Sequence, residues 1–240
     1  MSQLALDLIH EAKRNRAKTL DLGNCSLTVL PDALFDLVDL EVLCLCTEGL
    51  YFDFEKNEEI RFESQNKGEH NNIKYLSPKT SQLKNLKVLL ANGSYNNKWE
   101  LSDLSPLKDL VQLQQLDVSY TSLSDNSIFK RLGLSNKSVL SPLKDLVQLQ
   151  QLDVSSTQVS DLSPLKDLVQ LQQLEVFHTK VSDLSPLKDL VQLQQLEVSH
   201  TKVSDLSPLK KIIEKGVPVK WAKYKNGIMV EGCPLSISTN

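Results

Sequence analysis

Aromatic residues make up only 5% of this 240-residue chain, and its formal net charge is −3. A charge balance that close to neutral, on the acidic side, gives no footprint for nucleic acid, whose recognition needs clustered Lys and Arg. No apolar run approaches the 18 or more residues that a membrane span needs. The start, MSQLALDLIHEAKRNR, interrupts its apolar stretch with Asp7 and His10 and offers no small-residue cleavage site, so it does not read as a secretion signal. Four cysteines (Cys25, Cys44, Cys46, Cys233) are too few for a disulfide scaffold and point to reduced thiols in a cytoplasmic setting. The four histidines (His10, His70, His178, His200) stand in no H-E-x-x-H or nucleophile-elbow context, and no G-x-x-x-x-G-K-[ST] phosphate loop occurs. No catalytic constellation and no cofactor motif is present, so the chain reads as a non-enzyme.

What is abundant is leucine, about 45 of 240 residues, and it recurs with a period. SPLKDLVQLQQL begins at Ser105, Ser141, Ser163 and Ser185, and its first four residues return at Ser207; the last three intervals are 22 residues. A fixed period in the twenties with L-x-x-L-x-L spacing is the mark of a leucine-rich repeat. Leu174-Glu-Val176 alternates like a half-buried strand. Ser163-Pro164 is suited to cap and open a short helical segment on the other side. Each unit points seven apolar residues inward (Leu162, Leu165, Leu168, Leu171, Leu174, Val176 and Val181 in one of them). One unit alone cannot offset the entropy of ordering 22 residues, so neighbours must cover its two open faces.

The expected fold is therefore an α/β repeat, a leucine-rich-repeat solenoid of about eight rungs. A curved parallel sheet lines its concave side and short helical or 3-10 segments its convex side. Strands are placed near Leu20, Leu43, Leu89, Leu116, Leu152, Leu174, Leu196 and Val219. As a single domain over 1–240, it divides into an N-terminal helical cap (1–17), repeats (18–209) and a C-terminal cap of short strands (210–240). Leu4, Leu8, Ile9 and Ala12 are the cap's candidate face towards the first rung. Insertions interrupt the repeats near 48–76, 94–100 and 126–139. They hold about 50 residues but eight of the thirteen aromatics: Tyr51, Phe52, Phe54, Phe62, Tyr75, Tyr95, Trp99 and Phe129. Leu50-x-Phe52-x-Phe54 and Ile60-x-Phe62 around EKNEE read as a hairpin. All three insertions follow strands, which sends them to one edge of the stack, the usual place for binding loops. The rings either contact a partner there or bury one another.

The unit LSPLKDLVQLQQLDVSSTQVSD resembles the bacterial internalin-type repeat, with Thr157, Thr179 and Thr201 where asparagine is usual. LIHEAKRNRAKTLDLGNCSLTVLP, NKGEHNNIKYLSP and the tail EKGVPVKW…NGIMVEGCPL resemble the N-terminal repeat domain of bacterial Roco proteins. That resemblance implies the recognition or regulatory domain of a Roco-type GTPase, with the GTPase domain in the full-length chain, or a stand-alone relative of such a domain. The internalin-type repeat alone would instead imply a secreted or surface adhesin or effector.

Positions between the leucines stack into ladders on the sheet. One reads Gln115, Gln151, Gln173, Gln195, the next Asp117, Asp153, Glu175, Glu197. Carboxylates one rung apart repel one another, and such a column favours a basic partner segment or simply keeps the sheet solvated. Then come Ser119, Ser155, Phe177, Ser199, where Phe177 stands out as a candidate anchor, and Tyr120, Ser156, His178, His200. The repeated histidines could hold a metal, although duplication of a unit explains them without one. The candidate partner-binding set is thus Phe177, Tyr120, His178, His200, Asp117, Asp153, Glu175, Glu197, Tyr51, Phe52, Phe54, Trp99 and Phe129, with no metal site. Because Lys108, Asp109, Gln112 and Gln114 recur without a packing need, specificity is expected in the departures from the repeat.

Overall fold

The computed structural model describes residues 2–53, 58–125, 138–220 and 227–235, with the side chains of 52 and 53 outside that set. The chain forms two compact units, Met1–Ser122 and Leu123–Asn240. In the first, parallel strands β1 (Thr19–Asp21), β2 (Val42–Cys44), β5 (Val88–Leu90) and β6 (Gln115–Asp117) pair in that order, with Leu20, Leu43, Leu89 and Leu116 in register. The antiparallel hairpin β3 (Glu48–Asp53) and β4 (Glu58–Glu63) is the first insertion. In the second unit, β7 (Gln151–Asp153), β8 (Gln173–Glu175) and β9 (Gln195–Glu197) repeat the pattern. The fold is a leucine-rich-repeat solenoid. All eight strands expected from the leucine spacing are present.

Each strand is three residues long because the repeat alternates only there. The seven inward residues of the unit around Leu171, from Leu162 to Val181, are all buried. The chain then returns through 3-10 turns such as Ser163–Leu165, opened by proline. Ser163 does not supply the cap, as the sequence suggested. Asp161, two residues earlier, accepts the Ser163 N–H through Oδ1 (2.8 Å), and Asp103, Asp183 and Asp205 do the same for Ser105, Ser185 and Ser207. An aspartate accepting from a backbone N–H two residues on is the local bond that competes best with regular structure. The Ser185 hydroxyl and then its N–H hold the Asp183 carboxyl below its ordinary range, and the Ser207 N–H and then its hydroxyl do so for Asp205.

The inside of the turn after each strand is satisfied by two devices. In three successive rungs Thr157, Thr179 and Thr201 donate Oγ1–H to the carbonyls of Val154, Val176 and Val198 at 2.6–2.7 Å, and Thr121 does so to Val118. Between the first two rungs the work falls to Asn71, brought in from the insertion. Its Nδ2 donates to Leu22 O and Leu45 O (2.7 Å each), and its Oδ1 accepts from Cys25 N (3.2 Å) and Leu27 N (2.8 Å).

The caps differ in detail from the expected ones. Helix α1 (Gln3–Asn15) starts at Ser2, whose hydroxyl accepts from Ala5 N. It buries Ala5, Ile9 and Ala12, a face rotated by about one residue from the one expected, leaving Leu4 38% exposed. At the other end, α2 (Lys210–Glu214) leads to β10 (Val219–Lys220) and β11 (Gly227–Met229). The sequence-adjacent strand is not the next rung. β11 pairs with β9, Ile228 against Leu196, and β10 lies outside it, Val219 against Ile228. The buried GIMV segment, all four residues enclosed, wins the interior place over the half-exposed Val219–Lys220.

Lys18, Glu41 and Lys87 form a charged rung at the strand starts, with Glu41 bridging Lys18 (3.1 Å) and Lys87 (2.6 Å). Those bonds, Lys87 first, hold the Glu41 carboxyl below its ordinary value. Two measurements follow. Asn71→Ala leaves four buried backbone groups without partners and is expected to cost about 4 kcal/mol in urea unfolding, whereas Asn96→Ala, at an exposed position, stays within about 0.5 kcal/mol. A carboxyl whose folded pKa is depressed adds stability above its unfolded pKa and loses it as pH falls through the folded value. The stability gap between the native chain and Glu41→Gln should therefore be flat near neutrality and close below about pH 4.

Candidate recognition surfaces

The expected edge cluster of insertions is not what the structure shows for the first of them. Hairpin β3–β4 lies across the sheet face opposite the leucine core. Tyr51 and Phe62 pack with Val42 on Cys44, Cys46, Val88 and Leu90. Gln115 Nε2 donates to Leu50 O (2.9 Å), tying the hairpin to β6. A Cβ on Gly49 would stand 3.1 Å from Leu90 Cδ1, so any larger residue would push on that side chain. The physical reason is the pair of strands beneath, whose outward residues are apolar: a hairpin with alternating rings buries them. The C-x-C pair is thus a small hydrophobic patch. Burial pushes the Cys44 and Cys46 thiols strongly up, and burial followed by the Asp21 charge raises Cys25 to about 11.

Of the other insertion rings, Trp99 is 2% exposed, and its backbone N–H pins the second insertion by donating to Tyr120 O (3.0 Å). Phe54, Phe129 and the side chain of Phe52 lie outside the described residues, as does most of the third insertion. Tyr120 belongs to the first unit, where it lines a cleft with Trp99 and Tyr95.

In the second unit the carboxylate ladder is in register: Asp153 opposite Glu175, Glu175 opposite Glu197. The structure gives it a role that the spacing did not reveal. Asp153 Oδ1 accepts from Ser155 N (2.7 Å) and Glu197 Oε1 from Ser199 N (2.9 Å), as Asp117 Oδ1 does from Ser119 N (2.9 Å) in the first unit. These acids close the turn that ends each strand. Glu175 instead accepts from Gln195 Nε2 (3.3 Å), one rung along. Glu197 is buried, while Asp153 and Glu175 are half-exposed.

Beside them Phe177, His178 and His200 come together. The imidazoles stack with centroids 4.6 Å apart and planes 15° off parallel, and Phe177 meets them edge-on at 4.1 and 5.4 Å. Both histidines have positive φ (51° and 56°), as do Tyr120 and Ser156 at the same repeat position. The chain makes a left-handed turn there, a conformation in which His and Asn are enriched, and that turn aims the side chain outward. Gly232 backs the cluster: a Cβ there would meet His200 Nδ1 at 2.6 Å. Among the described residues no group of three or more His, Cys, Asp and Glu is arranged for a metal ion.

No protein-family model and no curated protein matches the chain. Among solved structures it is similar to internalin C2 of Listeria monocytogenes, at 21% identity and TM-score 0.56 over 88% of this chain and 89% of that one. It is also similar to a leucine-rich-repeat protein of Leptospira interrogans (19%, TM-score 0.57, 92% of this chain) and to the plant peptide hormone receptor RGFR1 in complex with RGF2 (16%, TM-score 0.56, 94% of this chain). It spans 50% of the Leptospira chain and 34% of the receptor chain. These likenesses show the fold.

The hairpin cover is checked by thiol chemistry, since only the thiolate reacts and access is required. In the native chain a thiol-specific disulfide reagent is expected to label half-exposed Cys233 first. With Tyr51→Ala and Phe62→Ala together, Cys44 and Cys46 should label at least about tenfold faster than in the native chain. Unchanged rates in a folded double variant would mean the hairpin does not shield them.

Proposed function

We propose that this protein is a protein-recognition module that receives an extended basic segment on the sheet face of its second unit. The observation that carries the reading is the conjunction there of in-register carboxylates (Asp153, Glu175) with the Phe177–His178–His200 ring cluster. In the first unit the corresponding face is occupied by the chain's own hairpin. Half-exposed carboxylates attract cationic side chains, and an aromatic face accepts a Lys or Arg head group within about 6 Å. Asp117, under the hairpin's unit, and buried Glu197 are assigned to holding the turns rather than to contact. A plant peptide hormone receptor of the same fold, solved in complex with RGF2, supports a binding role for such a scaffold.

The finer reading, from the sequence resemblance, is the sensing arm of a Roco-type GTPase acting in the cytoplasm. The four cysteines, all unpaired, three of them buried, fit a reducing compartment. A coding frame that continues beyond Asn240 into a phosphate-binding loop would support this setting, and a different downstream domain would replace it.

The surface is tested by isothermal titration with a synthetic peptide of about twelve residues alternating Arg with Ser. Phe177→Ser should weaken binding about tenfold, as loss of an interface anchor does, with the melting temperature nearly unchanged because the ring is half-exposed. Raising salt should weaken binding further. Equal affinity of the two proteins would remove Phe177 from the site, and absence of binding to the native chain would sink the basic-segment reading.

A further inference from the structure

A cleft of about 440 Å³ opens in the first unit. It is bounded by the start of the first insertion (Thr47, Glu48), its end (His70, Asn71), the second insertion (Asn92 to Trp99) and Tyr120. Its walls are fixed in place. Ser94 and Asn97 exchange backbone bonds (3.0 and 3.1 Å), which puts Tyr95 and Asn96 at the tip of a tight turn. Asn97 Nδ2 donates to Asn71 O (2.8 Å), joining one insertion to the other. Gly93 lies so close to Tyr120 O, Asn97 O and Trp99 N that no Cβ fits.

The residues around this space carry amides, hydroxyls, aromatic rings and the His70 imidazole, with one carboxylate, Glu48, and no Lys or Arg. With no Lys or Arg in that set, and Glu48 beside it, a phosphate or a carboxylate ligand is disfavoured. Thr47 Oγ1 donates to Asn24 Oδ1 (2.8 Å), and His70 Nδ1 lies 2.8 Å from Thr47 Oγ1 and 3.1 Å from Asn24 Oδ1. These contacts fix the orientation of the His70 ring at the edge of the cleft. On the floor, Asn92 Nδ2 donates to Gly93 O (3.2 Å), while its Oδ1 is buried without a partner. Above, the Tyr95 ring is 88% exposed, packed against nothing that explains a large ring at a turn tip.

We propose that this cleft binds a short, uncharged carbohydrate of one or two rings. A sugar carries closely spaced hydroxyls, each donor and acceptor, which suit a lining of Asn, Ser, Tyr and His groups. Its C–H face stacks on an exposed tyrosine. An apolar peptide anchor would strand those polar groups unpaired. The volume lies at the lower end of small-ligand sites. The proposal is independent of the second unit's surface, so the two can fail separately.

The test is saturation-transfer NMR on the full chain with glucose, galactose, N-acetylglucosamine, maltose and cellobiose. Each is supplied at about 10 mM, enough to populate a millimolar site. At least one should receive transfer. Tyr95→Ala, and separately Asn96→Ala, should lower its affinity about tenfold with no change in melting temperature, while Phe177→Ser leaves it unchanged. No transfer to any of the five overturns the proposal, as does transfer that survives Tyr95→Ala. Binding of a capped neutral peptide such as acetyl-Ser-Gln-Asn-amide, with no sugar bound, reassigns the cleft to peptides.

Discussion

The turn that follows each three-residue strand is the point on which the rest of the molecule depends. There the chain leaves the sheet, and several backbone groups are enclosed by the next rung before they can reach water. A buried, unpaired backbone group costs as much as a lost hydrogen bond. The threonines at 121, 157, 179 and 201 meet this demand within their own rung. Asn71 meets it across two rungs at once. The aspartates before the 3-10 turns and the acids at the strand ends complete the same accounting on either side. Leucine burial supplies the driving force, but these side chains decide that the force yields one geometry.

The requirement also explains where variation is permitted. Just past the satisfied turn, one residue in each of the four rungs from β6 to β9 sits at positive φ. That position carries Tyr120, Ser156, His178 and His200. The candidate surfaces gather here: Tyr120 in the polar cleft of the first unit, the histidines with Phe177 in the second.

Repeat periodicity made the strands legible, since 22 residues and a fixed leucine pattern leave one way to enclose the apolar atoms. The hairpin was equally plain, because its rings alternate. Its destination was not. Cys44, Cys46, Val88 and Leu90 look unremarkable in sequence, and only their alignment on one face shows an apolar patch that something had to cover. Asn71 was invisible for a related reason: it serves the first two rungs from a position 26 residues beyond one partner and 49 beyond the other. The carboxylate ladder looks like surface charge in the sequence, whereas its bonds to the N–H two residues on are short-range and follow the D-x-S and E-x-S spacing. The order of the last two strands followed from burial preference, which sequence adjacency does not encode.

Near-identical rungs pose a counting problem that their stability does not solve. A strand reading QLD or QLE can pair with any other, and a chain displaced by one whole unit would form almost the same contacts over most of its length. What distinguishes the correct alignment is the set of residues that occur once. Asp125 is one of them: its carboxylate accepts from Val139 N, Ser160 N, Ser160 Oγ and Asp161 N, a combination with no counterpart in the later rungs. Such singular contacts act as index marks along an otherwise uniform ruler, so the places where duplication was imperfect are also the places that tell the chain how many units it has.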